Sequence, residues 1–241
     1  MSPDENGAPT LAGKTAVVTG AGRGIGRAIA HTVARSSMNV VLASRSAGEL
    51  KTVAGECRAI GAEAVAVTCD LTRPEDINRL ITTGSTTFGG IDLLVNNAGI
   101  GYFAPVEVMS LEQFDAMWSV NLRAVFLLCK GVIPLMERRK GGTIVNIGSL
   151  AGKNSLKGGA GYAATKWALR GFSASLMLEV RDRNIRVVTI FPGSVDTSFS
   201  IRNKRGSRIT QPEDVAEAVL FAASMHGRAM TSEIDIRPTR P

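Results

Sequence analysis

A tyrosine and a lysine stand four residues apart in Tyr162-Ala163-Ala164-Thr165-Lys166, and Ser149 lies 13 residues before the tyrosine. In a helix, residues four apart share one face. A phenol, with a pKa near ~10, is a poor acid or base at neutral pH. An ammonium ~4 Å away, at an effective dielectric of ~20, favours the phenolate by ~4 kcal/mol, or ~3 pKa units. That shift brings the phenol toward the range where general acid–base catalysis is efficient. The same spacing also fits a surface lysine beside a half-buried tyrosine. Ser149 closes the apolar run Thr143-Ile144-Val145-Asn146-Ile147-Gly148, which places a hydroxyl at the end of a strand-like stretch.

Support comes from the other end of the chain. Thr19-Gly20-Ala21-Gly22-Arg23-Gly24-Ile25-Gly26 follows the apolar run Ala16-Val17-Val18 and opens a helical pattern. Glycines at such a junction let backbone N–H groups approach a pyrophosphate and let the helix pack close to the sheet. The second apolar run ends Ala43-Ser44-Arg45-Ser46, with no acid to hold a ribose 2′-hydroxyl. Ser44 can hydrogen-bond a phosphate there, and Arg45 can pair with it by charge and fork geometry. Arg23 can add to the same patch. The expected cofactor is NADP(H) rather than NAD(H), although Arg45 also reads as an exposed loop arginine. Cys69-Asp70-Leu71 ends the third run, where Asp70 fits either an adenine amino group or a cap on the Thr72 turn. Asn96-Asn97-Ala98-Gly99 ends the fourth, with small residues that let the chain pass close to a ligand. A structural role is expected for Asn96 and a cofactor-facing one for Asn97.

The elements that must position these residues follow from periodicity. Continuous apolar runs recur at 16–18, 40–42, 64–67, 93–95, 144–145, 187–190 and 234–236. Unbroken apolarity fits strands buried on both faces, as in a parallel sheet. Between them lie helical stripes such as Ile25, Ile29, Val33 and Val215, Ala218, Val219, Ala222. Capping boxes are expected at Thr72 to Glu75, Ser110 to Gln113 and Thr210 to Glu213. The pattern predicts an α/β, doubly wound Rossmann-type fold, with about seven parallel strands and helices on both faces. One catalytic domain is expected over 11–241, after a flexible polar tail at 1–10.

Composition narrows the function classes. The chain has 241 residues, 44% of them hydrophobic, enough for a sizeable core. No uninterrupted apolar run reaches the ~18 residues of a membrane span. Three scattered cysteines fit reduced thiols and a cytoplasmic location. Two histidines and no cysteine pair leave no zinc motif, so no metal is expected. The formal charge of +7 is spread out, and two Trp and two Tyr make no stacking platform for nucleic acid. Asp196 to Arg208 is polar, basic and aperiodic, and reads either as a loop over a site or as a surface excursion.

With these motifs placed, the chain resembles the short-chain dehydrogenase/reductase family from about Gly13 to Ile236. The resemblance rests on Thr19 to Gly26, Asn96 to Gly99, Ser149, Tyr162, Lys166 and Pro192-Gly193 in the family's order. It implies that Tyr162 donates the proton in reduction. Lys166 would lower the Tyr162 pKa and bind the nicotinamide ribose, and Ser149 would polarise the substrate carbonyl. Asn121 matches the family asparagine that holds a relay water; a buried amide satisfied by backbone is the other reading. Pro192, Gly193, Val195 and Thr197 match the segment lining the nicotinamide. The implied activity is NADPH-dependent reduction of a ketone or aldehyde, with a 3-oxoacyl thioester among the candidates. Alcohol oxidation and a non-catalytic nucleotide-binding role are the alternatives. A homodimer or homotetramer is implied through helices at about Leu111 to Arg139 and Ser155 to Asn184. Two departures bear on the substrate. The chain ends Ile234-Asp235-Ile236-Arg237 instead of in a Gly-Gly turn, and the loop after Pro192 is short and basic. Tyr102, Phe103, Leu150, Ala151, Lys153, Leu156 and Phe199 are pocket candidates by position.

Overall fold

A computed structural model describes residues 10–199 and 209–239. The expected tail at 1–10 falls almost wholly outside the described residues, as do the loop cations Arg202, Lys204, Arg205 and Arg208. Seven strands form one sheet: β1 (Thr15–Thr19), β2 (Asn39–Ser44), β3 (Ala64–Thr68), β4 (Leu93–Asn96), β5 (Gly142–Ile147), β6 (Ile185–Pro192) and β7 (Glu233–Ile236). Their order is β3-β2-β1-β4-β5-β6-β7, and every pair is parallel. Each apolar run in the sequence became one of these strands. Val17, Val41, Leu94 and Ile144 have no exposed surface, as unbroken apolarity requires.

Helices cover both faces. α1 (Gly24–Arg35), α2 (Ala47–Ala59) and α7 (Pro212–Ser224) close one core with Val18, Leu42 and Val188. α3 (Pro74–Thr87), α5 (Ala124–Arg138) and α6 (Ala160–Val180) close the other with Val17, Leu94 and Val187. α4 (Leu111–Trp118) runs through a π-helical turn, Ser119–Arg123, into α5. By length and composition this joined helix could span a bilayer, but its buried residues, Val125, Leu128, Val132 and Met136, pack on the sheet.

Three boundaries differ from expectation. The Ser110–Gln113 capping box forms, with Ser110 Oγ accepting from the Gln113 N–H at 3.3 Å. The other two caps sit one residue later, at Arg73 and Gln211. Pro74 and Pro212 hold the residue before them extended, so a helix cannot start until the proline itself. Thr72 instead donates to Asp70 Oδ1 at 2.8 Å. α6 begins at Ala160 rather than Ser155, because Gly158, at φ +71°, breaks the helical path.

The strand order reverses direction between β1 and β4, which opens a crevice at their carboxyl ends. Buried amides fasten the sheet beside it. Asn96 donates to Asn146 Oδ1 at 2.7 Å, Asn146 donates to Ser173 Oγ at 2.8 Å, and Ser173 donates to the Leu169 carbonyl at 2.7 Å. Asn146→Ala should therefore lower the unfolding free energy by ~2 kcal/mol, read by urea denaturation, because it removes two buried hydrogen bonds.

Candidate active site

The glycine turn is shaped by close approach. Gly20 and Gly24 have φ of +64° and +53°, the left-handed region that glycine enters without strain. A Cβ on Gly26 would run into the Gly20 carbonyl. α1 begins here with no side-chain cap and no acid in its first turn, so its free N–H groups face the crevice. Ile25 packs against the core below. This cradle fits a pyrophosphate at the helix N-terminus.

β1 and β4 are tied together at this point. Thr19 Oγ1 donates to the Val95 carbonyl and accepts from the N–H groups of Asn97, at 3.0 Å, and Ala98, at 3.1 Å. The Asn97 amide donates to the Thr19 carbonyl at 2.8 Å and to the Gly20 carbonyl at 3.3 Å. Its side chain thus braces the turn, as Asn96 braces the sheet. Gly99 lies beside Lys166: a Cβ there would sit 3.6 Å from Nζ.

Arg23 in the glycine turn and Arg45 and Ser46 after β2 are exposed. Ser44 Oγ accepts from the Ser46 N–H at 3.3 Å. Asp70 Oδ1 accepts from the Thr72 N–H at 2.9 Å, which with the Thr72 hydroxyl holds its carboxyl below the usual range despite opposing burial. The turn-capping role of Asp70 is therefore formed. Leu71 packs against the core. One group was missed in the sequence. A Cβ on Gly22 would lie 2.7 Å from Glu49 Oε2 and 3.2 Å from Ser44 Oγ. The strand end itself carries no acid, but the first turn of α2 swings one to the same place. The signal was available: Glu49 lies three residues after the cap Ser46, where a first-turn acid is favoured.

Beyond β6, Gly193 N–H donates to the Ile236 carbonyl at 2.9 Å, and Val195 bridges to Thr210. Pro192 pairs with Ile236. Thr197 Cγ2 comes within 3.3 Å of a Cβ on Gly24, so this segment overhangs the glycine turn.

Ser149, Tyr162, Lys166 and Asn121 converge at the end of β5. Tyr162 is 7% exposed. Burial pushes its phenol up to about 12, against the pull of a hydrogen bond with Ser149. Ser149 Oγ also accepts from the Ala151 N–H at 3.1 Å. Lys166 Nζ donates to the Ile147 carbonyl at 2.9 Å and lies 5.8 Å from the Tyr162 ring centre. Burial alone brings this ammonium down to about 8. Here the expectation fails: the phenol is raised, not lowered. Burial of each group is the dominant cause, and it favours the neutral form of both. Asn121, 1% exposed, donates to the Ile100 carbonyl at 2.9 Å and to Thr165 Oγ1 at 3.0 Å, and accepts from the Ile100 N–H at 2.9 Å. Its side chain joins the π turn to the loop after β4 and to α6.

Above the phenol stand two half-exposed rings. Phe103 and Phe199 lie 5.2 and 6.0 Å from the Tyr162 ring, and 6.5 Å from each other. Lys153, expected in the pocket, instead pairs with Glu233 and Asp235 on β7.

Comparison with known proteins agrees with this geometry. The profile of the short chain dehydrogenases matches residues 14–207. Sepiapterin reductase of Chlorobaculum tepidum is 35% identical over 232 residues, covering 92% of this chain and 95% of that protein. A metagenomic short-chain oxidoreductase in complex with NADP superposes with a TM-score of 0.86 at 38% identity, covering 97% of this chain and 100% of the other. The 3-ketoacyl-(acyl-carrier-protein) reductase of Brucella melitensis, complexed with NADH, gives 0.88 at 31% identity, covering 95% and 99%.

The buried ammonium makes a stability prediction with a definite sign. Its folded pKa of about 8 lies below the ordinary 10.5. The unfolded chain therefore binds the extra proton between those values, and stability rises with pH across that window. Below it the full cost, ~3 kcal/mol, is present. Ligand-free Lys166→Met should melt above the wild type at pH 7, by less than this cost because the Ile147 carbonyl loses its donor. The gain should shrink toward pH 10, read by differential scanning calorimetry.

Proposed function

The chain belongs to the short-chain dehydrogenase/reductase family, and from that premise we propose that it reduces a ketone or aldehyde to an alcohol with NADPH. The observation that carries this reading is the Tyr162 phenol hydrogen-bonded to Ser149 at the end of β5, with Lys166 on the same helix face. Burial keeps the ligand-free phenol protonated at neutral pH, so a proton is in place for the carbonyl oxygen. When bound, the nicotinamide supplies the hydride that adds to the carbonyl carbon. The Tyr162 hydroxyl protonates the oxygen as the C–O double bond becomes single. Ser149, already hydrogen-bonded to the phenol, orients that oxygen. Lys166 faces Gly99 at the crevice, where its ammonium can hold the ribose and stabilise the phenolate left behind. Asn121 fixes the loop after β4 and the start of α6, and keeps Tyr162 in register. It retains one acceptor position for a relay water.

Glycines 20, 22, 24 and 26, with the uncapped start of α1, fit the pyrophosphate. Arg45, Arg23 and Ser44 favour a 2′-phosphate, in keeping with the NADP-bound relative. Glu49 opposes it and fits a 2′-hydroxyl. Asp70, through its second carboxylate oxygen, and Leu71 flank the adenine, while Ala98, Gly99, Pro192, Gly193, Val195 and Thr197 line the nicotinamide end. Phe103 and Phe199 fit a carbonyl attached to a planar or apolar group. A pterin ketone, as in the Chlorobaculum relative's name, and a ketoacyl chain, as in the Brucella relative's, both belong to that range. The working unit is a soluble homo-oligomer in the cytoplasm.

An NADPH-oxidation screen over aryl ketones, aldehydes, quinones and β-ketoacyl thioesters tests the activity. Tyr162→Phe should lose turnover ~10³-fold, the scale of a general acid, while NADPH affinity by fluorescence titration is retained. The reverse oxidation needs the phenolate, so its rate should climb steadily between about pH 7 and 10 while reduction stays flat or falls. Arg45→Ala should weaken NADPH binding ~10-fold, the loss of one charge-assisted contact, and leave NADH binding unaltered. Glu49→Gln should act in the opposite sense, tightening NADPH relative to NADH in the same titration.

A further inference from the structure

Lys153 and Arg170 come from the two elements that carry the reacting hydroxyls. Lys153 directly follows the 3-10 turn Leu150–Gly152, whose N-cap is Ser149. Arg170 lies on α6 eight residues after Tyr162 and four after Lys166, on the same face of the helix. Both cations meet one carboxylate. Glu233 Oε2 lies 2.7 Å from Lys153 Nζ, and Glu233 Oε1 accepts from Arg170 Nε at 2.7 Å. Arg170 also donates to Oε2 at 3.2 Å, a two-pronged contact.

The floor beneath this junction is closely packed. The Phe191 ring, with no exposed surface, lies 4.2 Å from Lys153 Nζ and 5.9 Å from the Arg170 guanidinium. A Cβ on Gly148, one residue before Ser149, would come within 3.0 Å of the same ring. The turn packs directly on the helix: a Cβ on Gly152 would sit 2.8 Å from the Lys166 carbonyl. Asp235 adds a second carboxylate to Lys153 at 2.6 Å but does not reach α6 among the contacts described. Among the described carboxylates, Glu233 is the one that pairs with a cation from each element.

We infer that Glu233 is a positioning residue for the reaction: its carboxylate sets the Ser149 turn against the Tyr162 helix and so holds the hydrogen bond between the two hydroxyls. This deepens the proposed reductase reading, and its effect on turnover rests on that reading. Glu233 is too exposed, at 30% of its side chain, for its ion pairs to dominate folding. It is the geometry of the site, not the fold, that depends on it.

The chain has two tyrosines, Tyr102 and Tyr162. A Tyr102→Phe background therefore reports Tyr162 alone through a 13Cζ-tyrosine NMR resonance, with no substrate needed. Glu233→Gln should move this resonance toward its position in Ser149→Ala, with the melting temperature and the sedimentation coefficient unchanged. Lys153→Met should move it in the same direction, and Lys153→Arg should restore it. With 1-phenylpropane-1,2-dione as probe, Glu233→Gln should lower kcat about 10-fold and leave the KM for NADPH unaltered, the pattern of a misplaced group and not of a lost binding contact. A Tyr162 resonance that stays at its wild-type position in Glu233→Gln overturns the proposal, whether or not the assembly state changes. Absence of carbonyl reduction by the wild type would count against the proposed reaction and not against Glu233, because the resonance is read without turnover.

Discussion

The site turns on an ammonium held out of water. Lys166 is 4% exposed, and its charge meets a backbone carbonyl, not a carboxylate. Such a group is costly to bury, and a fold keeps it only where the surroundings are over-determined. Here the surroundings are the carboxyl ends of parallel strands, a turn packed on the helix backbone, and glycines that let everything approach. With no acid beside it, the cation is uncommitted. A carboxylate partner would bind it tightly and leave little for a ribose or a developing phenolate.

The same dryness reverses the simplest reading of the tyrosine. Helical spacing placed Tyr162 and Lys166 on one face correctly, but it carries no information about solvent. Two groups that would attract each other in partial water instead each shift toward neutrality when buried, the phenol up and the ammonium down. The resulting pair is a protonated acid beside a cation that can lose its charge.

Legibility followed range. The strands were plain because a strand buried on both faces must be apolar throughout, and the glycine turn because its backbone leaves no room for side chains. Ser149, Tyr162 and Lys166 were found by order along the chain, and the site gathers them as expected. What escaped depended on where side chains end up. Glu49 drew no notice in the sequence, yet its carboxylate reaches the glycine turn. Lys153 was placed in the pocket by proximity to Ser149, yet it is drawn away by acids 80 residues or more along the chain. The caps at Arg73 and Gln211 were missed for a local reason: the following proline governs its neighbour's backbone more strongly than the threonine's hydroxyl does.

The π turn at Ser119–Arg123 has a consequence for how this chain can change. A π turn holds one residue more than an α turn, so the sequence period shifts by one across it while the helix on either side keeps its face. The helix upstream of it presents Met117 to Gly161 at the head of α6, while the helix downstream presents Gly131 to Ile81 on α3. The two halves are out of phase, and Asn121 sits at the seam. Point substitutions on either half can accumulate gradually, since each half keeps its own face. Removal of a single residue at the seam cannot be gradual. It would restore a regular helix and remove the wide turn that carries Asn121. Length in this segment is therefore quantised, and lineages that share the seam are expected to vary in side chains but not in residue count across it.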